Sequence, residues 1–136
     1  MTITRLDPAG LHVTPGYHHV TIVEARRTAY LAGQCPLDAD GRLVGTDDLA
    51  AQVDQVVANA LLALDGAGAA PDDVVRSVVY VRSDDRADLA ATWRRLLASP
   101  LAPAFTSAST LLGVAQLGFP GQLVEVDLTA ALPPAD

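Results

Sequence analysis

One acidic residue in an alternating strand pattern is the strongest candidate for chemistry in this sequence. In the segment Val124-Glu125-Val126-Asp127, valines alternate with acids, so a β-strand would place the valines on one face and Glu125 on the other. A carboxyl group in a partly desolvated cleft can take up and release protons, and so act as a general acid or base. The segment alone leaves open the alternative of a solvent-facing acid on a strand.

Cysteine and histidine give weaker candidates. Cys35 is the only cysteine, and nothing near it in the sequence indicates an activated thiol, so an apolar packing role is expected. His18 and His19 are adjacent on a predicted strand, where their side chains point to opposite faces and cannot share a metal ion. His12 alone does not complete a site, so we expect neither a metal nor another cofactor.

Composition limits the class of protein. The 136 residues fit one domain, residues 1–136, in which residues 132–136 are predicted to be a loose tail. The net charge of −7 has the wrong sign for binding a phosphate backbone, so nucleic acid is not expected as a partner. No apolar run reaches the length of a membrane span, and the N-terminus lacks the pattern of a secretory signal. We therefore expect a soluble, cytoplasmic protein with no membrane partner.

The elements that must position Glu125 begin with a predicted hairpin. Residues 17–25 and 28–35 are rich in strand-forming residues and are separated by Arg26-Arg27, which predicts an antiparallel pair that ends at Pro36.

Two amphipathic helices are predicted further along the chain. The first begins after Thr46 as N-cap and ends at Gly66 or Gly68, whereas the second begins after Asp84 and ends before Pro100. Apolar residues recur every three or four positions on one face of each helix: Leu49, Val53, Val56, Ala60 and Leu64 in the first, and Leu89, Trp93, Leu96 and Leu97 in the second.

Three more strands are predicted at residues 74–82, 105–114 and 122–130, and the turn at 118–121 joins the last two. The resulting order ββαβαββ predicts an α/β (α+β) domain with a mixed sheet and two helices on one face. The other face, which carries Glu125, must then be covered from outside the chain. Self-association through that face would create a cleft that contains this acid.

With the elements placed, the sequence resembles the RidA/YjgF family. The matching stretches are Pro15-Gly16-Tyr17, Tyr30-Leu31-Ala32-Gly33-Gln34-Cys35-Pro36-Leu37, Asp40-Gly41-Arg42-Leu43-Val44-Gly45, residues 52–59, residues 74–81, and Gly113-Val114-Ala115-Gln116-Leu117 leading into Val124-Glu125-Val126-Asp127. Their order and spacing cover nearly the whole chain. The resemblance implies a chorismate-mutase-like fold, a barrel-cored homotrimer, and pockets between subunits.

The resemblance also implies which residues form the pocket. Glu125 matches the family's acid and would be the catalytic residue, Tyr17 matches its pocket tyrosine, and Gly33 matches the glycine of the pocket wall. Cys35, close to Gly33 in the sequence, is also expected to bind the substrate, as are the two positions described next.

Two substrate-binding positions depart from the family pattern. Ala32 stands where deaminating members usually carry a serine, and Ser109 stands where they carry an arginine that clamps the substrate carboxylate. No arginine follows Arg95, so a shifted alignment does not restore this charge. A serine lacks the bidentate, charged fork that suits a carboxylate.

The function that the resemblance implies is hydrolysis of reactive enamines and imines to ketoacids and ammonia, without a cofactor. The departures at residues 32 and 109 argue against the ordinary 2-imino-acid substrates. They keep open a second hypothesis, in which the chain is a non-catalytic metabolite-binding or interaction protein on the same trimeric scaffold. Related proteins have also been described as ribonucleases, which the acidic charge makes the least favoured function.

Overall fold

The computed structural model describes residues 1–135. It contains six strands and two α-helices: β1 (Thr2–Leu6), β2 (Val20–Glu24), β3 (Arg27–Tyr30), α1 (Leu49–Ala67), β4 (Val74–Val81), α2 (Arg86–Leu97), β5 (Ala108–Gly113) and β6 (Val124–Leu132). Short 3₁₀ turns at Pro71–Asp73 and Ala102–Thr106 lead into β4 and β5.

Strand β6 lies at the centre of the main sheet, whose order is β3-β6-β4-β5. It pairs antiparallel with both β3 and β4, whereas β4 and β5 run parallel because α2 returns the chain between them. Both helices pack on the same side, α1 against β6 and α2 against β5. The prediction of a mixed sheet with two helices on one face is confirmed.

The core lies between this sheet and the helices, and its pattern follows the predicted alternation. Val124, Val126 and Leu128 of β6 are almost completely buried, whereas Glu125 and Asp127 between them are half-buried on the opposite side. Both helices contribute their predicted apolar positions, including Val53, Val56, Ala60 and Leu64 from α1, and Trp93 and Leu96 from α2. We call the side of the sheet that bears Glu125 the open face.

The predicted hairpin is wrong. Strand β2 pairs with β1 in a separate two-stranded sheet, in the register Thr2↔Glu24, and β3 pairs with β6 instead. The sequence did not predict β1, because five residues of mixed polarity at the N-terminus show no clear period. The two sheets remain in contact, since Thr21 accepts a hydrogen bond from the backbone N–H of Ala108 on β5 (2.9 Å).

Both predicted helix caps are displaced along the chain. Asp48, not Thr46, caps α1 and accepts a hydrogen bond from the N–H of Ala51 (3.0 Å), while Asp85, not Asp84, caps α2. Gly68 ends α1 in the left-handed conformation (φ 79°), as one of the two predicted glycines.

The C-terminal tail begins later than predicted. Leu132 is buried at 6% exposure and pairs with Arg27 as the last residue of β6. Residues 133–135 form no helix or strand, and Asp136 lies outside the described residues.

The cap assignment predicts a difference between two neighbouring substitutions. Asp48→Ala removes a hydrogen bond to an otherwise unpaired helix N–H, so the free energy of unfolding should fall by about 1 kcal/mol. Thr46→Ala removes no cap and should change it less. Urea denaturation of both variants measures the difference, and equal losses would contradict Asp48 as the cap.

Candidate active site

Glu125 lies on the central strand of the sheet, directly opposite Tyr80 of β4. Its neighbours Val124 and Val126 point into the core, so the Glu125 side chain projects from the open face. The backbone around it is held on both sides by strand pairing, which fixes where the carboxyl group can lie.

The two carboxyl oxygens of Glu125 have different surroundings. Oε1 accepts hydrogen bonds from the Cys35 thiol (3.1 Å) and from Nε2 of Gln122 (3.2 Å). Gln122 is fully buried and also donates to the carbonyl of Val124, which fixes its amide. Oε2 makes no hydrogen bond within residues 1–135 and lies over Gly33. One oxygen is therefore held in place and the other is left for a ligand or water.

Gly33 is required by the position of this carboxyl group. A Cβ atom at residue 33 would lie 2.2 Å from Oε2 of Glu125, far inside contact distance. The chain bulges here, because Leu31 bonds Leu128 (3.0 Å) and the next pair joins Gln34 to Val126, with residues 32 and 33 between them. The predicted strand at 28–35 is therefore interrupted, and the interruption makes room for Glu125.

Ala32 occupies the other position of this bulge and is exposed. Its carbonyl accepts a hydrogen bond from the side-chain amide of Gln34 (2.9 Å), while its methyl group offers no donor or acceptor. The hydroxyl that the family pattern places at residue 32 has no replacement among these contacts.

Cys35 is a hydrogen-bond donor and a poor nucleophile at neutral pH. Burial, followed by the hydrogen bond to Glu125 and its negative charge, raises the pKa of the thiol from 9.0 to about 11. Because the thiolate is the reactive form, Cys35 remains a protonated donor to Oε1.

Tyr17 and Ser109 lie in a different place, on the side of the sheet that carries the helices. They line a cavity of about 450 Å³ under α2. Tyr17 packs edge-on against Trp93 (6.2 Å between ring centres), and its hydroxyl is 3.2 Å from Nε2 of His12. The complete lining is Pro15, Tyr17, Arg86, Leu89, Ala90, Trp93, Arg94, Ser109, Thr110 and Leu111.

The Ser109 hydroxyl is already engaged within the chain. It accepts a hydrogen bond from the buried Ser77 (2.6 Å) and donates its own proton to the carbonyl of Ser107 (3.0 Å). A hydroxyl has one proton to donate, so in this arrangement Ser109 can accept from a ligand but cannot donate to a carboxylate.

The predicted pocket residues therefore form two groups within one chain. Glu125, Gly33 and Cys35 are in contact at the open face, whereas Tyr17 and Ser109 line the cavity on the helix side. Sequence reasoning missed Gln122, whose only indication was a polar side chain three residues before Glu125. It also missed Arg86 and Arg94 in the cavity wall, because charged residues on a helix normally indicate a solvated face.

No group of three or more histidine, cysteine, aspartate or glutamate side chains in the described part of the chain is placed to hold a metal ion. Among residues 1–135, no helix is both long and apolar enough to cross a membrane.

The family model described as Endoribonuclease L-PSP matches residues 10–132. The chain belongs to this family. It is 36% identical to a solved protein of unknown function from Yersinia pestis, of the conserved Rid protein family YyfB, covering 97% of this chain and 100% of that one with a TM-score of 0.86. The predicted membership of the RidA/YjgF family is confirmed.

More distant Rid-type structures show the same fold. A putative endoribonuclease L-PSP from Entamoeba histolytica is 24% identical over 96% of this chain and 100% of that one, with a TM-score of 0.67. RidA from the Antarctic bacterium Psychrobacter sp. is 24% identical over 94% of each chain, with a TM-score of 0.66. No match was found among curated proteins.

The contact between Cys35 and Glu125 predicts how the single thiol titrates. Glu125→Gln removes the negative charge beside Cys35 while burial remains, so the pKa of the thiol should move from about 11 back towards 9.0. The pH dependence of the ultraviolet absorbance of the thiolate measures this directly. In the unaltered protein, alkylation near neutral pH should be roughly a hundredfold slower than for a thiol of ordinary pKa. Identical titration curves for the two proteins would contradict the contact.

Proposed function

We propose that the chain is a cofactor-independent hydrolase of enamines and imines, with Glu125 as the general acid and base. The observation that carries the proposal is the arrangement of one carboxyl group: Oε1 is held by Cys35 and Gln122, while Oε2 is unpartnered over Gly33. A fixed carboxylate with one available oxygen can position a water molecule and exchange protons with it. Membership of the Rid family supports a function in small-molecule chemistry.

The proposed reaction converts an imine and one water to a carbonyl compound and ammonia. Oε2 of Glu125 accepts a proton from water as the water oxygen bonds to the imine carbon, and the C=N electron pair moves to nitrogen. Glu125 gives this proton to the nitrogen, which becomes an amine in the tetrahedral intermediate. Glu125 then takes the proton of the new hydroxyl group and passes it to the amine, so that the carbonyl forms, the C–N bond breaks and ammonia leaves. Cys35 takes no covalent part, since its raised pKa keeps the thiol protonated while it holds Oε1.

We propose that the complete site lies between copies of the chain in a homotrimer. One chain places Glu125 on the open face and Tyr17 on the helix side, so a site that uses both needs a second copy. The open face also carries apolar surface, since Tyr30 is 82% exposed and Leu112 is 42% exposed. Covering this face with another copy would bury that surface and remove water from around Glu125.

RNA cleavage, which the family description names, is not proposed. The net charge of −7 opposes binding to a phosphate backbone. Retention of RNA by the purified protein at physiological salt, followed by its cleavage, would reverse this judgement.

Assembly through the open face can be tested by mass. Light scattering should give three times the 14.1 kDa of one chain. Val78 projects from the open face opposite Asp127, so Val78→Asp would place two carboxylates side by side on the covered face and should reduce the mass to that of a single chain. A monomeric mass for the unaltered protein would contradict the trimer, and a trimer that persists in Val78→Asp would contradict assembly through the open face.

Activity can be tested with imines generated in the assay by an amino-acid oxidase, by following ketoacid release. Glu125→Gln keeps the shape of the side chain but cannot accept the proton, so the rate should fall by about a hundredfold or more. Asp127→Asn is the matched control, because Asp127 lies two residues along the same strand on the same face, and it should keep near-normal activity.

Gly33→Ala gives a second test, because it keeps the carboxyl group but displaces it. The added Cβ must push Oε2 away, so activity should fall while the melting temperature changes little, since a flexible side chain can move aside.

Full activity in Glu125→Gln would remove Glu125 from the mechanism. Ligand binding without ketoacid release in the unaltered protein would favour the non-catalytic binding protein.

A further inference from the structure

Helix α2 presents two arginines to the cavity that contains Tyr17. Arg86 and Arg94 stand at either end of an apolar stretch formed by Leu89, Ala90 and Trp93, and all five line the cavity. Arg86 and Arg94 are eight residues apart, which places them about 12 Å from each other along the helix axis. The cavity is therefore an apolar space with a cationic group near each end of one wall.

Neither guanidinium group is engaged within the chain. Among residues 1–135, the only ion pair joins Arg95 to Asp54 through two hydrogen bonds of 2.8 and 2.7 Å, and neither Arg86 nor Arg94 donates a side-chain hydrogen bond. Arg94 and Arg95 are thus adjacent in sequence but differ in role, since Arg95 is paired with Asp54 of α1 whereas Arg94 lines the cavity. An exposed guanidinium at a cavity wall can bind an anion without first breaking an ion pair.

Arg94 lies at the end of the cavity nearest Tyr17. Trp93, the residue before Arg94, packs edge-on against Tyr17. Leu97, three residues after Arg94, approaches the backbone at Gly16. Arg86 lies at the other end, because Leu89, less than one turn after it, approaches Gly113 at the end of β5. Arg94, not Arg86, is therefore carried by the part of α2 that lies against Tyr17.

We propose that Arg94 binds the carboxylate of the ligand, in place of the charge missing at residue 109, and that the cavity takes monocarboxylates with a branched or aromatic apolar body. The planar fork of arginine suits a carboxylate, and the Ser109 hydroxyl has already donated its proton to Ser107. The volume of about 450 Å³ falls among small-molecule sites, and Leu89, Trp93 and Leu111 give it apolar walls. This inference depends on the proposed function in one respect only, namely that the ligand is the substrate or product of the proposed hydrolase.

Equilibrium binding of a non-reacting ligand tests the inference without turnover. Isothermal titration calorimetry with phenylpyruvate would compare the unaltered protein with Arg94→Gln, Arg86→Gln and Arg95→Gln. Arg94→Gln should weaken binding about tenfold or more, because it removes a charge-assisted contact. Arg95→Gln, on the same helix but facing α1, should stay within about twofold. Pyruvate should bind at least about tenfold more weakly than phenylpyruvate, since it leaves the apolar walls empty.

The methyl ester of phenylpyruvate supplies the control for charge. It should bind more weakly than the acid, and its affinity should not change in Arg94→Gln. The assignment would be overturned by equal losses in Arg94→Gln and Arg95→Gln or by a loss confined to Arg86→Gln. It would also be overturned by equal affinity for acid and ester, or by no binding of phenylpyruvate. Circular dichroism melting of each variant separates a binding loss from unfolding.

The two proposals fail in different ways. If imines are hydrolysed but phenylpyruvate binding does not depend on Arg94, the ligand assignment is wrong and the hydrolase stands. If binding depends on Arg94 but no imine is hydrolysed, the hydrolase is wrong and the ligand assignment stands. The Asp127→Asn variant should bind phenylpyruvate within about twofold of the unaltered protein, because Asp127 belongs to neither group of site residues.

Discussion

The carboxyl group of Glu125 occupies space that no side chain at residue 33 could share. Much of the surrounding structure follows from this contact, since Gly33 lies in a bulge between two backbone bonds to β6, and that bulge leads directly to the Cys35 thiol that donates to Oε1. Gln122 holds the same oxygen from just before β6 and is itself fully buried. Two separate stretches of chain therefore converge to fix one oxygen and leave the other without a hydrogen-bond partner within residues 1–135.

The thiol in this cluster shows how a residue can matter without reacting. Cys35 is partly buried next to an acid, and both effects favour the neutral thiol. A neutral thiol can donate a hydrogen bond, whereas a thiolate would repel the carboxylate beside it. The same surroundings that make Cys35 a poor nucleophile thus make it a suitable partner for Glu125.

The parts of the fold that depend on local periodicity were predictable from the sequence. The alternation of Val124, Glu125 and Val126 identified both faces of β6, and the spacing of apolar residues identified α1 and α2. The strand pairing was not predictable, because short strands with weak patterns, such as Thr2–Leu6, acquire their partners only from tertiary contacts. The displaced helix caps have a similar cause, since several neighbouring polar residues could each act as a cap.

The site was predictable only as far as each residue could be matched to a pattern. Glu125 and Gly33 were identified, and their contact shows why a glycine is needed at residue 33. The sequence could not show that the Ser109 hydroxyl is engaged by Ser77 and Ser107, because that depends on the register between β4 and β5. Nor could it distinguish Arg94 from Arg95, which differ only in the direction in which the helix turns them.

The placement of the two residue groups on opposite faces of one sheet has an evolutionary consequence. Residues on α2 that line the cavity can change without disturbing the hydrogen bonds that hold Glu125, because those bonds come from Cys35 and Gln122 and none comes from α2. Substitutions in groups that share no partners have nearly additive effects. Relatives of this protein could therefore exchange one ligand for another by small steps along a single helix, while the acid on the far side of the sheet is inherited unchanged.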